Sequence, residues 1–379
     1  MNVFFISLTL LFSSLSFILQ AAPSPVPSPP KLAAKSFLLI DVNSGRILAE
    51  KNIDKKIEPA SITKLMTAYV VYKEIEAGRL QMDEKVTISK KAWRMKGSKM
   101  FVEVGKQISV KMLLKGLIIQ SGNDASVALA EHIAGTESTF ADYMNQYAQS
   151  LGMTNSHFVN STGWPNKDHR TTARDIATLA KAIITEFPEH YKLYKQKKFT
   201  YNGIKQYNRN KLLWRDKSVD GLKTGHTESA GFCLVTSAKR DDMRLISVVL
   251  GTKSDKARAS ISQALLSYGF RFYESNKLYA AAESLKTARV WMGNKENVSI
   301  GLANDLVITI PRGQYKYLNA VMDINTDIDA PINKSQTLGT LRIMYNDEEL
   351  LSRPLIALQN IEKGSLWQQS RDYLLQFFQ

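Results

Sequence analysis

Cysteine is nearly missing from this chain. Cys233 is the one thiol among 379 residues, so no disulfide can form within the chain. It sits in the apolar run Gly231-Phe232-Cys233-Leu234-Val235 and reads as a buried structural thiol rather than a reactive one. The five histidines, His132, His157, His169, His190 and His226, have no metal-ligand spacing, and His-Glu-x-x-His is absent. No metal or other cofactor is therefore expected. No Walker-type phosphate loop occurs, which excludes nucleotide chemistry. Fifty Lys and Arg against 35 Asp and Glu give a net charge of +15, yet there is no zinc-finger spacing and no clustered basic helix. Nucleic acid is not an expected partner. The diffuse charge reads as a solvated surface that favours anionic lipid or polymer.

The chain begins with an apolar and hydroxylic run, Val3 to Leu19, followed by Ala21 and Ala22. Residues 1–22 read as a signal peptide; the lack of Lys and Arg before the run leaves an uncleaved anchor as the rival. Either reading exports the rest. Residues 23–33 form a Pro-rich, extended linker.

From 34 to 273 strand and helix signals mix. Ser36 to Asp41 and Arg46 to Ala49 flank the turn Asn43-Ser44-Gly45. A helix is expected from Ser61 to Ala77 after Pro59. Lys111 to Gly135 reads as two helices broken at Ser121-Gly122-Asn123-Asp124, and Phe140 to Leu151 as another. Thr172-Ala173-Arg174-Asp175 resembles a capping box, with Asp175 a helix-starting carboxylate. Gly231 to Ala238 and Arg244 to Gly251 predict a hairpin, and Asp255 to Phe270 a helix. Residues 274–362 alternate short apolar runs with turns, which predicts a small all-β sandwich. Residues 363–379 are amphipathic: Leu366, Trp367, Tyr373, Leu374, Phe377 and Phe378 share one face, Gln368, Gln369, Asp372, Gln376 and Gln379 the other. That pattern predicts an in-plane membrane-anchor helix, the alternative being a helix packed on its own domain.

Three motifs carry chemistry. In Ser61-Ile62-Thr63-Lys64, helical spacing lets the lysine amine reach the serine hydroxyl. The hydroxyl needs a base, and lysine serves only if burial or nearby cations lower its pKa. Ser121-Gly122-Asn123 presents a hydroxyl and an amide at a helix break. Lys223-Thr224-Gly225, followed by His226, opens a strand whose edge suits an extended peptide. Singly, these also fit a solvated helix face, a turn and a basic turn. Together and in order they match the Ser-x-x-Lys, Ser-Asp-Asn, Lys-Thr-Gly set of class A β-lactamases and penicillin-binding proteins, with Ser-Gly-Asn in the middle place.

With the longer strings Ile118 to Ala130 and Asp220 to Thr227, the chain resembles the low-molecular-mass penicillin-binding proteins, the D-alanyl-D-alanine carboxypeptidases, from about Ala34 to the terminal helix. The resemblance implies an α/β (α+β) D,D-peptidase/β-lactamase-like domain with an antiparallel sheet and a helical cluster, then the β-sandwich and the anchor helix. It implies Ser61 as acylated nucleophile, Lys64 as general base, and Ser121 and Asn123 in proton relay and substrate positioning. Lys223, Thr224 and Gly225 would line the strand edge, and the N–H groups of Ser61 and His226 would form the oxyanion hole. Arg209 and Arg258 match positions near the substrate carboxylate, though surface ion pairs also fit them. Ala257, where the family has Gly, and Ser161-Thr162-Gly163-Trp164 depart from the family pattern.

The expected partners are a peptidoglycan pentapeptide substrate, β-lactams as covalent inhibitors and the membrane surface. The expected location is the periplasmic face of the inner membrane, held there by the terminal helix. The alternatives are a D,D-endopeptidase, a class A-like β-lactamase and a non-enzymatic wall-binding protein. No glutamate lies between Glu137 and Glu186, where a class A enzyme needs one to activate water. The penicillin adduct is accordingly expected to persist.

Overall fold

The computed structural model describes residues 26–376. The signal-peptide reading, and Phe377, Phe378 and Gln379 of the tail, lie outside the described residues.

The first part of the chain is built on a five-stranded antiparallel sheet in the order Ile47–Lys51, Ser36–Asp41, Met243–Thr252, Gly231–Arg240, Val219–Thr227. Alternation along each strand sorts its side chains between two cores. Leu38, Cys233, Val235, Ile246, Val248 and Leu250 join the helical cluster on one face. Phe37, Leu39, Leu234, Ala238, Leu245 and Val249 pack on the other, with Leu265 and Leu266 of helix Asp255–Phe272. Cys233 is buried in the first core, as its apolar run implied, and burial pushes its thiol up to about 11.

Several boundaries are set by local chemistry. Ser89, Ser109, Thr136, Thr172 and Ser254 each accept a hydrogen bond from the backbone N–H three residues on, starting a helix. Thr172 caps Ala173–Glu186 as the motif predicts. The Asp175 carboxylate, however, turns to Asn155 N and Ser156 Oγ, tying a loop to this helix. The break predicted between two helices is sharper than expected. Val110–Lys115 continues as a π-helical turn, Gly116–Gln120; Ser121 is left-handed at φ 66°, and Asn123 already belongs to the helix Asn123–Ala134.

Beyond Phe272 the chain is almost wholly β. A strand that polar composition concealed, Tyr273–Tyr279, pairs with Leu306–Pro311. A five-stranded sheet runs Lys286–Arg289, Asn297–Gly301, Glu348–Ala357, Thr337–Tyr345, Leu318–Ile324. Its own core centres on Val290, Val298, Ile300, Leu341, Ile343 and Leu355. Buried Asp41 joins this part to the first sheet by accepting from Ser44 and from Ser275 Oγ.

The last helix, Leu366–Gln376, docks by its polar side. Asp372 is buried and accepts from Met292 N at 2.9 Å, while Gln376 donates to Asp329. Leu366, Trp367, Tyr373 and Leu374 are 83%, 79%, 64% and 62% exposed. A helix packed on its domain by its apolar side would bury these residues, so this one, though docked, is mounted with its apolar side outward. Among the described residues, no helix is long and apolar enough to cross a membrane.

Candidate active site

A cavity of about 420 Å³ opens between the sheet edge and the helical cluster, with Ser61, Ser121, Arg209, Thr224, His226 and Arg258 on its wall. Ser61 sits in the single turn Ala60–Thr63, which runs directly into helix Lys64–Glu76. The turn is tight: Ala60 is left-handed at φ 47°, a conformation that costs a non-glycine residue about 1–3 kcal/mol. Gly163 fits against it so closely that a Cβ there would stand 1.8 Å from Ala60 O.

Lys64 is wholly buried, and its Nζ lies 3.0 Å from Ser61 Oγ. Two shorter contacts hold the amine: Asn123 Oδ1 at 2.7 Å and Thr162 O at 2.6 Å. The Asn123 amide is oriented because its Nδ2 donates to Lys96 O at 2.7 Å, which leaves Oδ1 facing the lysine. Burial drives the Lys64 pKa from 10.5 down to about 7; Arg209 assists, while Asp124 and Glu137 oppose. The lowering that the chemistry demanded is thus mainly a matter of desolvation, with the Arg209 charge adding to it.

Lys223 is the second buried amine. Its Nζ donates to Ser121 Oγ at 2.8 Å and to Thr224 O at 3.1 Å. Burial, with Lys64, Arg209 and Arg258 nearby, holds its pKa well below the usual lysine range. Ser121 reaches it because the π turn ends in a left-handed residue, which aims the side chain across the cleft.

The strand Val219–Thr227 is the last of its sheet on this side, so its outer edge faces the cleft. Gly225 turns out to make room for protein rather than only for substrate: a Cβ would approach Pro59 O at 3.0 Å and Ile62 N at 3.1 Å. The His226 ring stacks on Phe232, centroids 3.9 Å apart. Arg258 is buried, donates to Gly225 O at 2.9 Å and pairs with Asp255, which also binds Lys211. Arg209 donates its Nε to Gln120 O at 2.9 Å. Three cations and one already-paired carboxylate line this end, a setting that suits a substrate carboxylate.

All ten residues singled out in the sequence, Ser61, Lys64, Ser121, Asn123, Lys223, Thr224, Gly225, His226, Arg209 and Arg258, meet at this one cleft. Three more residues serve it that the sequence does not single out as site residues. Thr162 acts through its backbone carbonyl, which no motif marks. Asp124 accepts from the N–H groups of Met100, Phe101 and Val102 and so fixes the loop above the cleft. Glu137 accepts from Ser161 N and Oγ and pairs with Lys91, steadying the Thr162 loop. Its place in a helix first turn reads as ordinary capping.

The chain is similar to known proteins over most of its length. Residues 24–254 match the family described as D-alanyl-D-alanine carboxypeptidase, and residues 273–363 match the penicillin-binding protein 5, C-terminal domain. The chain is 43% identical over 357 residues to the D-alanyl-D-alanine carboxypeptidase DacC of Escherichia coli K12, covering 92% of this chain and 89% of that protein. Penicillin binding protein 5 from Haemophilus influenzae superposes with a TM-score of 0.85 at 40% identity, over 89% of this chain and 100% of that one. Penicillin-binding protein D2 from Listeria monocytogenes in its ampicillin-bound form superposes with a TM-score of 0.59 at 31% identity, over 63% of this chain and 98% of that one.

Proposed function

This chain belongs to the D-alanyl-D-alanine carboxypeptidase family, and on that premise we propose how the residues of its cleft share the removal of a terminal D-alanine. It is a serine-type D-Ala-D-Ala carboxypeptidase of the penicillin-binding class.

One observation carries the assignment. A neutral amine has two N–H donors and one lone pair. At Lys64 two obligate acceptors, Asn123 Oδ1 and Thr162 O, take both donors at 2.7 and 2.6 Å. The lone pair is left for the third neighbour, the Ser61 hydroxyl at 3.0 Å. With a pKa near 7, about half of the Lys64 amines are neutral at neutral pH.

The peptide tail lies extended along Val219–Thr227, its terminal carboxylate near Thr224, Arg209 and Arg258. Ser61 Oγ attacks the penultimate carbonyl as Lys64 takes the hydroxyl proton. The N–H groups of Ser61 and His226 receive the negative oxygen. The C–N bond then breaks, and a proton reaches the departing amine through Ser121, which Lys223 orients. Free D-alanine leaves. The second N–H of the Asn123 amide remains to hold a substrate carbonyl. Water attacks the ester, the shortened peptide departs with a carboxylate, and the proton returns to Ser61.

The same serine opens β-lactam rings. Neither glutamate bordering the stretch without one is free to activate water: Glu137 is held by Ser161 and Lys91, Glu186 by Tyr69 and Lys73. Asp255, the carboxylate on the cavity wall, is bound by Arg258 and Lys211. The penicilloyl ester accordingly persists. Mass spectrometry after penicillin treatment tests this: one adduct is expected, on the peptide holding Ser61, and none on Ser61→Ala. An adduct elsewhere, or rapid multiple-turnover loss of nitrocefin, overturns the reading.

The outward apolar side of Leu366–Gln376 supports attachment to a lipid surface after export, with the helix lying in the membrane plane. Deleting residues 365–379 should move the protein from the membrane fraction to the soluble one, and unchanged fractionation rejects the attachment.

A further inference from the structure

Behind the nucleophile lies a buried histidine that the reaction scheme does not use. His169 is 2% exposed, and its ring meets the edge of Phe158 at 5.6 Å between centroids. Its hydrogen bonds fix its tautomer. Val159 N–H donates to Nδ1 at 3.1 Å, so Nδ1 carries no proton and Nε2 must carry it. Nε2 lies 2.7 Å from Thr63 Oγ1 and donates to it. Thr63 Oγ1, accepting from the ring, donates onward to Ala60 O at 2.8 Å. The chain of donors therefore runs one way, from Val159 through His169 and Thr63 to the carbonyl just before Ser61.

Both ends of this chain bear on the base and nucleophile pair. Ala60 is the left-handed residue of the turn that presents Ser61. Val159 begins the loop whose Thr162 carbonyl accepts from Lys64 at 2.6 Å. We propose that His169 is a positioning residue: a neutral, Nε2-protonated ring that locks the Ala60–Ser61 turn to the Val159–Thr162 loop and so sets the Ser61–Lys64 distance. Burial keeps the ring neutral, with a pKa lowered to about 4, helped by the charges of His157 and Lys64.

The inference rests on Ser61 and Lys64 being the nucleophile and its base, which wild-type adduct mapping tests separately. The experiment measures the second-order rate of penicillin acylation on the full chain, with intact-mass counting of adducts to normalise for competent molecules. His169→Leu removes the donor, His169→Gln keeps an amide N–H near the Nε2 position, and Thr63→Val cuts the chain at its middle. A displacement of about an ångström costs on the order of 100-fold in rate. His169→Leu and Thr63→Val should each slow acylation roughly 30- to 100-fold, and His169→Gln by less than about 5-fold. The double variant His169→Leu/Thr63→Val should be no slower than the slower single variant. Turnover of a D-Ala-D-Ala peptide should lose kcat with KM unchanged, and every variant should still reach one adduct per chain. Wild-type acylation by His169→Leu, equal loss in His169→Gln and His169→Leu, or multiplying losses in the double variant would each overturn the proposal. If His169→Leu does not fold, Thr63→Val and His169→Gln decide the matter by the same rates.

Discussion

Replacing Lys64 with methionine should change how stability depends on pH, and the site sets the size of the change. Methionine fills much of the same volume without a titratable group. In the wild type the amine pKa is 10.5 when the chain is unfolded and about 7 when folded. Below pH 7 both states carry the proton, and burying it costs the full difference, about 5 kcal/mol at 1.36 kcal/mol per tenfold. Between pH 7 and 10.5 the unfolded chain holds a proton that the folded chain has released, so wild-type stability rises with pH. Above 10.5 neither state carries it, and the penalty is gone. Integrated from pH 7 to 10.5, the wild type should gain about 4 kcal/mol relative to Lys64→Met. The absolute difference at one pH decides nothing, because methionine also leaves Asn123 Oδ1 and Thr162 O without their donor, at about 1–3 kcal/mol each. The slope is diagnostic, since groups that do not feel the Lys64 charge cancel between the two proteins; Lys223 and His169 do feel it. Urea titrations of the two proteins at half-unit steps would measure it. Parallel stability curves across that window would refute the neutral-amine account of the base.

Three further outcomes are expected. The acylation rate with penicillin should rise with pH through about 7 and then level off, because Lys64 must lose its proton to act; a limb near 10 would contradict this. Gly163→Ala should destabilise the protein by at least about 3 kcal/mol, since its Cβ would meet Ala60 O at 1.8 Å at a φ of +80°; an unchanged denaturation midpoint would show that the turn yields. Asp372→Ala should raise hydrogen exchange along residues 366–376, with the local opening easier by about 1–3 kcal/mol and penicillin acylation unaltered; unchanged protection would mean that the buried carboxylate does not hold the helix.

How much of the molecule is legible in its sequence depends on whether side chains or backbone do the work. Ser61, Lys64, Ser121, Asn123 and Lys223 declare themselves because their chemistry resides in side chains at fixed spacings. The helix starts at Thr172 and Ser254 are local, set by a hydroxyl and an N–H three residues on. The Thr162 carbonyl and the His169 tautomer exist only once distant loops have packed, and no spacing encodes them. Tyr273–Tyr279 is hidden because Glu274, Ser275, Asn276 and Lys277 interrupt any apolar alternation; pairing with Leu306–Pro311 imposes the strand from outside. The π turn before Ser121 is invisible for the same reason. Gly116–Gln120 reads as ordinary helix until packing widens it.

The outward mounting of Leu366, Trp367, Tyr373 and Leu374 bears on handling at the bench. In plain buffer these side chains form an exposed apolar patch, which favours association between molecules. Mild detergent offers the patch a micelle instead. Purification in detergent, or of a version trimmed before Ser365, is the sensible route to a monodisperse sample.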